Sequence, residues 1–371
     1  LPSVRLAKRT LLRKFDKYYA YNALSDELYE LDEEAFIFLL SCDGKDVDID
    51  EKLLRFLLDE GLVELSDERI DVGFVEQDEP SLRYLLANIT WNCNLKCKHC
   101  YVSQEENYMS FETFKKTVDD FNDLGGLKLL ISGGEPLLHP EIFQFLEYAR
   151  KKPFRIVLLT NSYLIDEKNA ELVSEFVDEV QISLDGLEGH RKLRGMDWRE
   201  VLEKIELLTE MTDISVSTMV TRYNINEFEE IEKILRKLKV RRWMIDVPTT
   251  ERDIIPSLSE IKHILTNFGF GELAQCSAEG FACGAHFCSI TPEGFVTKCG
   301  FFETGVGSVL EGLDVCWERM KKEYIWSIEE LECKCGFVDE CRGGCRYRAM
   351  VYSGDLFLHD PVMCSLFGIE R

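Results

Sequence analysis

The sequence predicts an α/β chain: a partial (βα)6, TIM-like barrel in the middle, a winged-helix-like module before it and a cysteine-rich segment after it. Three observations carry that expectation. From Ser81 onward, short apolar runs alternate with helical stretches; such alternation argues for a parallel sheet, and six strands fit an incomplete barrel. The first 75 residues combine aromatic, alternating runs with two apolar-striped helices. The fourteen cysteines are unevenly spread, with one at 42, three between 93 and 100, and ten between 276 and 364. At 371 residues the chain has room for two or three domains, expected at 1–80, 81–272 and 273–371.

The totals exclude several classes of function. A net charge of -24 opposes binding to phosphate backbones, so nucleic acid is not an expected partner and a basic or neutral one suits the chain better. No apolar run reaches the length of a membrane span, so no membrane partner is expected, and the first residues lack the apolar core of a signal peptide. The absent initial Met suggests trimming. With no secretory signal, metal ligation in a reducing cytoplasm accounts for the cysteines better than disulfides do.

In chain order, the run 13–22 and then 27–31 have strand character. The pattern turns helical over 32–40 and ends by Gly44; 51–60 is a second helix closed by Gly61, and 62–65 is a short strand. A winged helix of this kind ordinarily suggests DNA binding, but residues 1–75 hold ten Lys or Arg against eighteen Asp or Glu. The acidic stretch 76–80 reads as a linker. Strands follow at 82–90, 127–132, 154–160, 178–184, 213–221 and 242–247, with helices at 110–124, 139–151, 166–176, 197–211 and 226–239. Asp197 with Glu200 is a capping-box candidate. A last helix is expected over 257–268, and beyond it Cys and Gly dominate.

The stretch Trp91 to Tyr101 sets Cys93, Cys97 and Cys100 in the spacing C-x-x-x-C-x-x-C, directly after the first barrel strand. In barrels of parallel strands the chemistry sits where strands end. Closely spaced cysteines also suit zinc, but the next cysteine is Cys276. Three thiolates in one loop can hold three irons of a 4Fe-4S cluster and leave the fourth open. The next strand ends in Ser132-Gly133-Gly134-Glu135-Pro136, where glycines permit close backbone approach. Small polar groups at Asn161, Ser183 and Asp185 end the following strands, and Arg194 lies a short way on. Near the C-terminus stand Cys283, Gly294 and Cys299 as C-x10-G-x4-C, then Cys335, Cys341, Cys345 and Cys364 as C-x5-C-x3-C-x18-C.

The triplet, with the aromatic His99 before its last cysteine, and the Gly-Gly-Glu-Pro loop resemble the radical S-adenosylmethionine (SAM) enzymes. The resemblance implies that SAM chelates the open iron and that Gly133, Gly134 and Glu135 hold its methionyl ammonium. It also assigns cofactor contacts to His99, Tyr101, Asn161, Ser183 and Asp185, and the SAM carboxylate to Arg194. The late cysteines resemble the SPASM extension of that family, which carries auxiliary 4Fe-4S clusters. Position by position, one cluster would take Cys283, Cys299 and Cys345 with Cys276 or Cys288. A second would take Cys333, Cys335, Cys341 and Cys364, with Cys333-Lys-Cys335 one residue shorter than the usual C-x-x-C. Cys42 and Cys316 read as ordinary buried thiols.

The run from Tyr19 to Phe36 resembles the recognition element of enzymes that modify ribosomally made peptides (RiPPs), in which a leader segment adds as a strand to a sheet edge. Together these resemblances imply a RiPP maturase: SAM is cleaved reductively to a 5'-deoxyadenosyl radical, which takes hydrogen from a precursor peptide and leads to a thioether, a carbon–carbon crosslink or a similar oxidation. They imply a low-potential electron donor such as flavodoxin or ferredoxin. Related enzymes alter tetrapyrroles or other small cofactors, and a non-catalytic peptide-binding or electron-carrier protein is the remaining alternative. Sulfatase-activating maturases usually carry Asp where this chain has Gly300.

Overall fold

Period-two alternation shapes the N-terminal segment. The computed structural model describes residues 1–249, 252–271 and 279–369. It opens with β1 (Ser3–Leu6), β2 (Thr10–Lys14), β3 (Tyr18–Asn22), β4 (Glu27–Leu31), α1 (Glu33–Ser41), β5 (Asp43–Asp46), α2 (Glu51–Asp59), β6 (Val63–Leu65) and β7 (Phe74–Glu76). The run 13–22, expected as one strand, is the turn and second arm of a hairpin: the Phe15 N–H donates to Lys17 O at 2.9 Å, and Leu11 pairs with Tyr21. Alternate residues of this hairpin serve two cores. Leu11, Tyr19 and Tyr21 pack with the central sheet, while Leu12 and Ala20 pack with Phe36 and Leu39 of α1. The stretch 76–80 is not a free linker: Glu76 belongs to β7, the Trp317 indole donates to Pro80 O at 3.0 Å, and Glu79 pairs with Arg83.

The central segment alternates as expected. It comprises β8 (Tyr84–Asn88), α3 (Phe111–Asp123), β9 (Lys128–Ser132), α4 (Ile142–Arg150), β10 (Arg155–Thr160), α5 (Glu167–Phe176), β11 (Glu179–Ser183), α6 (Glu188–Arg194), α7 (Trp198–Thr209), β12 (Asp213–Met219), α8 (Phe228–Lys237), β13 (Arg242–Asp246) and α9 (Leu258–Asn267). Helix α6 was not expected; seven residues after a Gly186 turn leave too short a period to read. Asp197 caps α7 through the Arg199 N–H, but Glu200 does not return the bond, so the expected box is half made. Complete boxes stand at Asp166 with Asn169 and at Ser257 with Glu260.

The C-terminal segment contributes β14 (Phe287–Ile290), β15 (Phe295–Thr297), β16 (Gly305–Ser308), α10 (Leu313–Glu323), α11 (Val338–Cys341), α12 (Arg346–Ser353) and α13 (Pro361–Leu366). Here the sheet exceeds the six expected strands. Its order is β13-β12-β11-β10-β9-β8-β14-β15-β16, with β14 parallel to β8 and the last two antiparallel. A four-residue strand in a cysteine-rich stretch gives little periodicity, and its partner lies some two hundred residues earlier.

The turn after β3 closes the N-terminal end of the barrel. Arg155 donates to Ala23 O and Leu24 O at 3.1 and 2.8 Å, and Lys128 lies 2.7 Å from the Asp26 carboxylate, which Arg242 also pairs. Glu179 and Asp213 complete the charge balance against Arg155. With the barrel closed at this end, the chemistry-bearing loops gather at the other. Among the described residues no helix is long and apolar enough to cross a membrane.

Candidate active site

Strand ends and one loop build the site. Leaving β8, the chain is anchored by Leu95, which is buried, and by the Lys98 N–H donating to Leu193 O at 3.0 Å. Cys93, Cys97 and Cys100 thereby reach one cavity of about 220 Å³, shared with His99, Gly133, Gly134, Asn161, Ser183 and Arg194. All three are free thiols. Among the described residues no three His, Cys, Asp or Glu side chains close around a single metal ion; thiolates that cap three irons of a cluster stand farther apart than ligands of one ion.

The glycines of the loop after β9 are required by a close approach to the start of the cysteine loop. A Cβ at Gly133 would lie 2.2 Å from Thr90 O, and one at Gly134 2.3 Å from Asn92 O. The Gly134 and Glu135 N–H groups donate to those same carbonyls at 2.8 Å each. The loop is thus clasped to the start of the cysteine loop. The Glu135 carboxylate is fully buried and turned toward β10, accepting from Thr160 Oγ1 and the Asn161 N–H at 2.8 Å and from the Leu137 N–H at 3.1 Å. Burial pushes its pKa up to about 7 against the pull of those donors. Asn161 Nδ2 donates to Asn94 Oδ1 at 2.7 Å, tying β10 to the cysteine loop.

Asp185 and Arg194, both candidates for SAM, are paired with each other. Asp185 is fully buried and off the cavity wall, its other oxygen taken by the Met219 N–H at 2.7 Å. Burial pushes its carboxyl up, but Arg194 and His99 pull harder and hold it below the usual range. Arg194 lies on the wall, with Nη1 3.7 Å from Cys97 Sγ and Nη2 3.4 Å from His99 Nε2. Burial pushes the Cys97 thiol up to about 11, while the guanidinium favours the thiolate. Burial drives His99 down to about 4, so the imidazole is neutral at pH 7.

Polar residues that sequence reasoning missed also line the cavity: Ser132, Gln181 and Ser217. Gln181 could have been found, because it shares a strand face with Ser183 at period two. The Tyr101 ring packs at a tilt against Phe301, centroids 4.7 Å apart, and Phe301 stacks on Tyr347 at 5.1 Å, joining the cysteine loop to the C-terminal segment. A Cβ at Gly300 would meet Tyr101 Oη at 2.8 Å.

Of the late cysteines, the thiols of Cys283 and Cys345 are hydrogen-bonded, and the bond with nearby cations favours the Cys283 thiolate. Lys298 lies near both Cys283 and Cys299. Cys333 and Cys335 lie close enough to Cys341 to raise its thiol, behind the larger effect of burial. Cys364 is on α13, Cys288 is fully buried on β14 in the apolar core, and Cys276 lies outside the described residues.

The residues present fit a cluster with SAM: three thiols and a cation on one wall, small polar groups and open backbone on the other. Comparison with known proteins agrees. Residues 87–238 match the Radical SAM superfamily. An AdoMet-dependent heme synthase of Nitratidesulfovibrio vulgaris is 25% identical over 78% of this chain and 94% of its own length. Mycofactocin maturase MftC of Mycolicibacterium smegmatis is 27% identical over 70% of this chain and 77% of its own. In fold, Streptococcus suis SuiB, crystallised with S-adenosylmethionine, superposes with a TM-score of 0.70 at 15% identity, covering 97% of this chain and 99% of that one; it has also been crystallised with precursor peptide SuiA.

Proposed function

We propose, from the premise that this chain belongs to the radical SAM superfamily and works with a 4Fe-4S cluster and S-adenosylmethionine, that it is a maturase of a ribosomally made peptide. The product would be a thioether, a carbon–carbon crosslink or a similar oxidation. The observation that carries this reading is the N-terminal module. The likeness to SuiB, a protein crystallised with a precursor peptide, extends over 97% of the chain and so takes in that module. Strand β4 has β3 on one side and, among the described residues, no strand on the other. An extended leader can add there through backbone hydrogen bonds.

When bound, the cluster and SAM supply a one-electron reduction and a carbon-centred radical able to remove an unactivated hydrogen. Cys93, Cys97 and Cys100 would hold three irons of the cluster. Arg194, itself held by Asp185, keeps a positive charge against Cys97. Glu135 fixes the end of β10 through its carboxylate and ties its loop to Asn92 O through its N–H, and Asn161, Gln181 and Ser183 offer hydrogen bonds to SAM. The buried charges around Asp26 cover the end of the barrel opposite the site. Cys283, Cys299 and Cys345, with Cys276 or Cys288, and then Cys333, Cys335, Cys341 and Cys364, are proposed to hold auxiliary clusters. A flavodoxin or ferredoxin in the cytoplasm would supply electrons.

A second reading, modification of a tetrapyrrole, is favoured by the likeness to heme synthases. The deciding experiment incubates the anaerobically reconstituted chain with SAM, reductant, and either peptides encoded beside its gene or an iron porphyrin. A peptide lighter by two hydrogens, with 5'-deoxyadenosine formed, is the expected result. Turnover of the porphyrin with no peptide modified would establish the second reading. Three clusters predict about twelve irons per chain; a reproducible value near four would remove the auxiliary clusters.

A further inference from the structure

Beside the cysteine cavity lies a second one of about 380 Å³ that the site described so far does not use. The two share Tyr101 and Val102. Its walls come from β8, from the unexpected β14 and β15, and from the turns around them. Three features give it a chemical character. Glu293 and Glu303 line it, and the described lining residues include no Lys, Arg or His. Trp91, Phe295 and Phe302 supply aromatic surface. Asn88, on its wall and only 2% exposed, donates through Nδ2 to Ser289 Oγ at 2.9 Å and leaves Oδ1 without a partner. A buried acceptor left unmatched is costly, and a donor brought by a ligand would remove that cost.

We propose that this cavity receives a cationic side chain, an ammonium or guanidinium on an aliphatic stem, from the peptide that the neighbouring site modifies. Two carboxylates in a partly enclosed space attract a cation and repel an anion. Aromatic faces suit both the stem and the charge it carries. The Asn107 side-chain amide donates to Glu293 and steadies one of the carboxylates. The polarity matches the chain as a whole, whose charge of -24 favours a basic partner. It opposes the carboxylate-bearing face of a tetrapyrrole. The inference rests on the peptide-maturase reading and narrows the substrate to one with a Lys or Arg near the reacting position.

The test uses the full reconstituted chain and small probes: n-butylammonium and n-butylguanidinium, the neutral n-butanol and the anion butyrate, with binding followed by saturation-transfer NMR. The cations are expected to bind at least tenfold more tightly than butanol, and butyrate not at all. The double variant Glu293→Gln, Glu303→Gln should bind cation and alcohol alike, with its circular dichroism unchanged. Should it not fold, Glu303→Gln alone, at an exposed position, is expected to lower the preference at least threefold. Equal binding of all four probes, or an unchanged preference in the variant that folds, overturns the proposal. The function is scored separately by 5'-deoxyadenosine formation without substrate: its absence beside an intact cation preference counts against the enzyme reading alone.

Discussion

Gly134 sits where no side chain fits, because a Cβ would lie 2.3 Å from Asn92 O and 2.6 Å from Trp91 O, both backbone atoms that cannot swing aside. Gly134→Ala must therefore separate the loop from the cysteine loop. Overpacking of this kind costs about 1–3 kcal/mol. The expected outcome is a chain that folds but takes up less iron and binds SAM at least tenfold more weakly, read by iron assay and equilibrium dialysis. That the pair Gly133-Gly134 permits a close approach was legible; that one close neighbour is the cysteine loop was not, because the two stretches meet only through the pairing of β8 with β9. In the same way Asp185 was legible as a polar strand end, but its partner Arg194 belongs to a helix too short to show a period.

Among the elements, the turn after β3 has the largest energetic consequence. Asp26 is 3% exposed and meets Lys128 and Arg242, with Arg155 close by. Burial pushes its carboxyl up, but those cations pull it down to about 2. Its folded pKa lies below the ordinary value near 4. Its contribution to stability is therefore complete above pH 4 and is lost as pH falls toward 2. Asp26→Asn leaves buried cations short of an anion and should cost about 3–5 kcal/mol. Urea unfolding at pH 7 measures that loss, and the difference between variant and parent should shrink below pH 4. A variant as stable as the parent would show that solvent already reaches these groups. No sequence pattern announces such a network, since its members come from six separated segments and meet only when the barrel closes. The strands that carry them were legible from their apolar runs, as were α3, α4, α5, α7, α8 and α9 from theirs.

At the scale of the whole molecule, the order of strands in the chain is not their order in the sheet. The alternating strands and helices of the barrel and the late run of cysteines were readable from periodicity and composition, because each is local. What escaped is a pairing between distant stretches of the chain: β14 lies parallel to β8, and Asn88 Nδ2 reaches Ser289 Oγ across 201 positions. Without the tail, β8 becomes an open edge, and open edges pair with other chains. A chain ending at residue 271 should therefore aggregate and hold little iron even with all of Cys93, Cys97 and Cys100 present, as size-exclusion chromatography and iron assay would reveal.

That long-range pairing also sets a schedule. On the ribosome, the strand that precedes the cysteine loop emerges early, and its outer neighbour follows only after some two hundred further residues have been made. Throughout that interval the three thiols are already outside the ribosome, on a wall that is not yet finished. Stable insertion of a cluster at those thiols is therefore expected only once β14 has been made and has paired with β8.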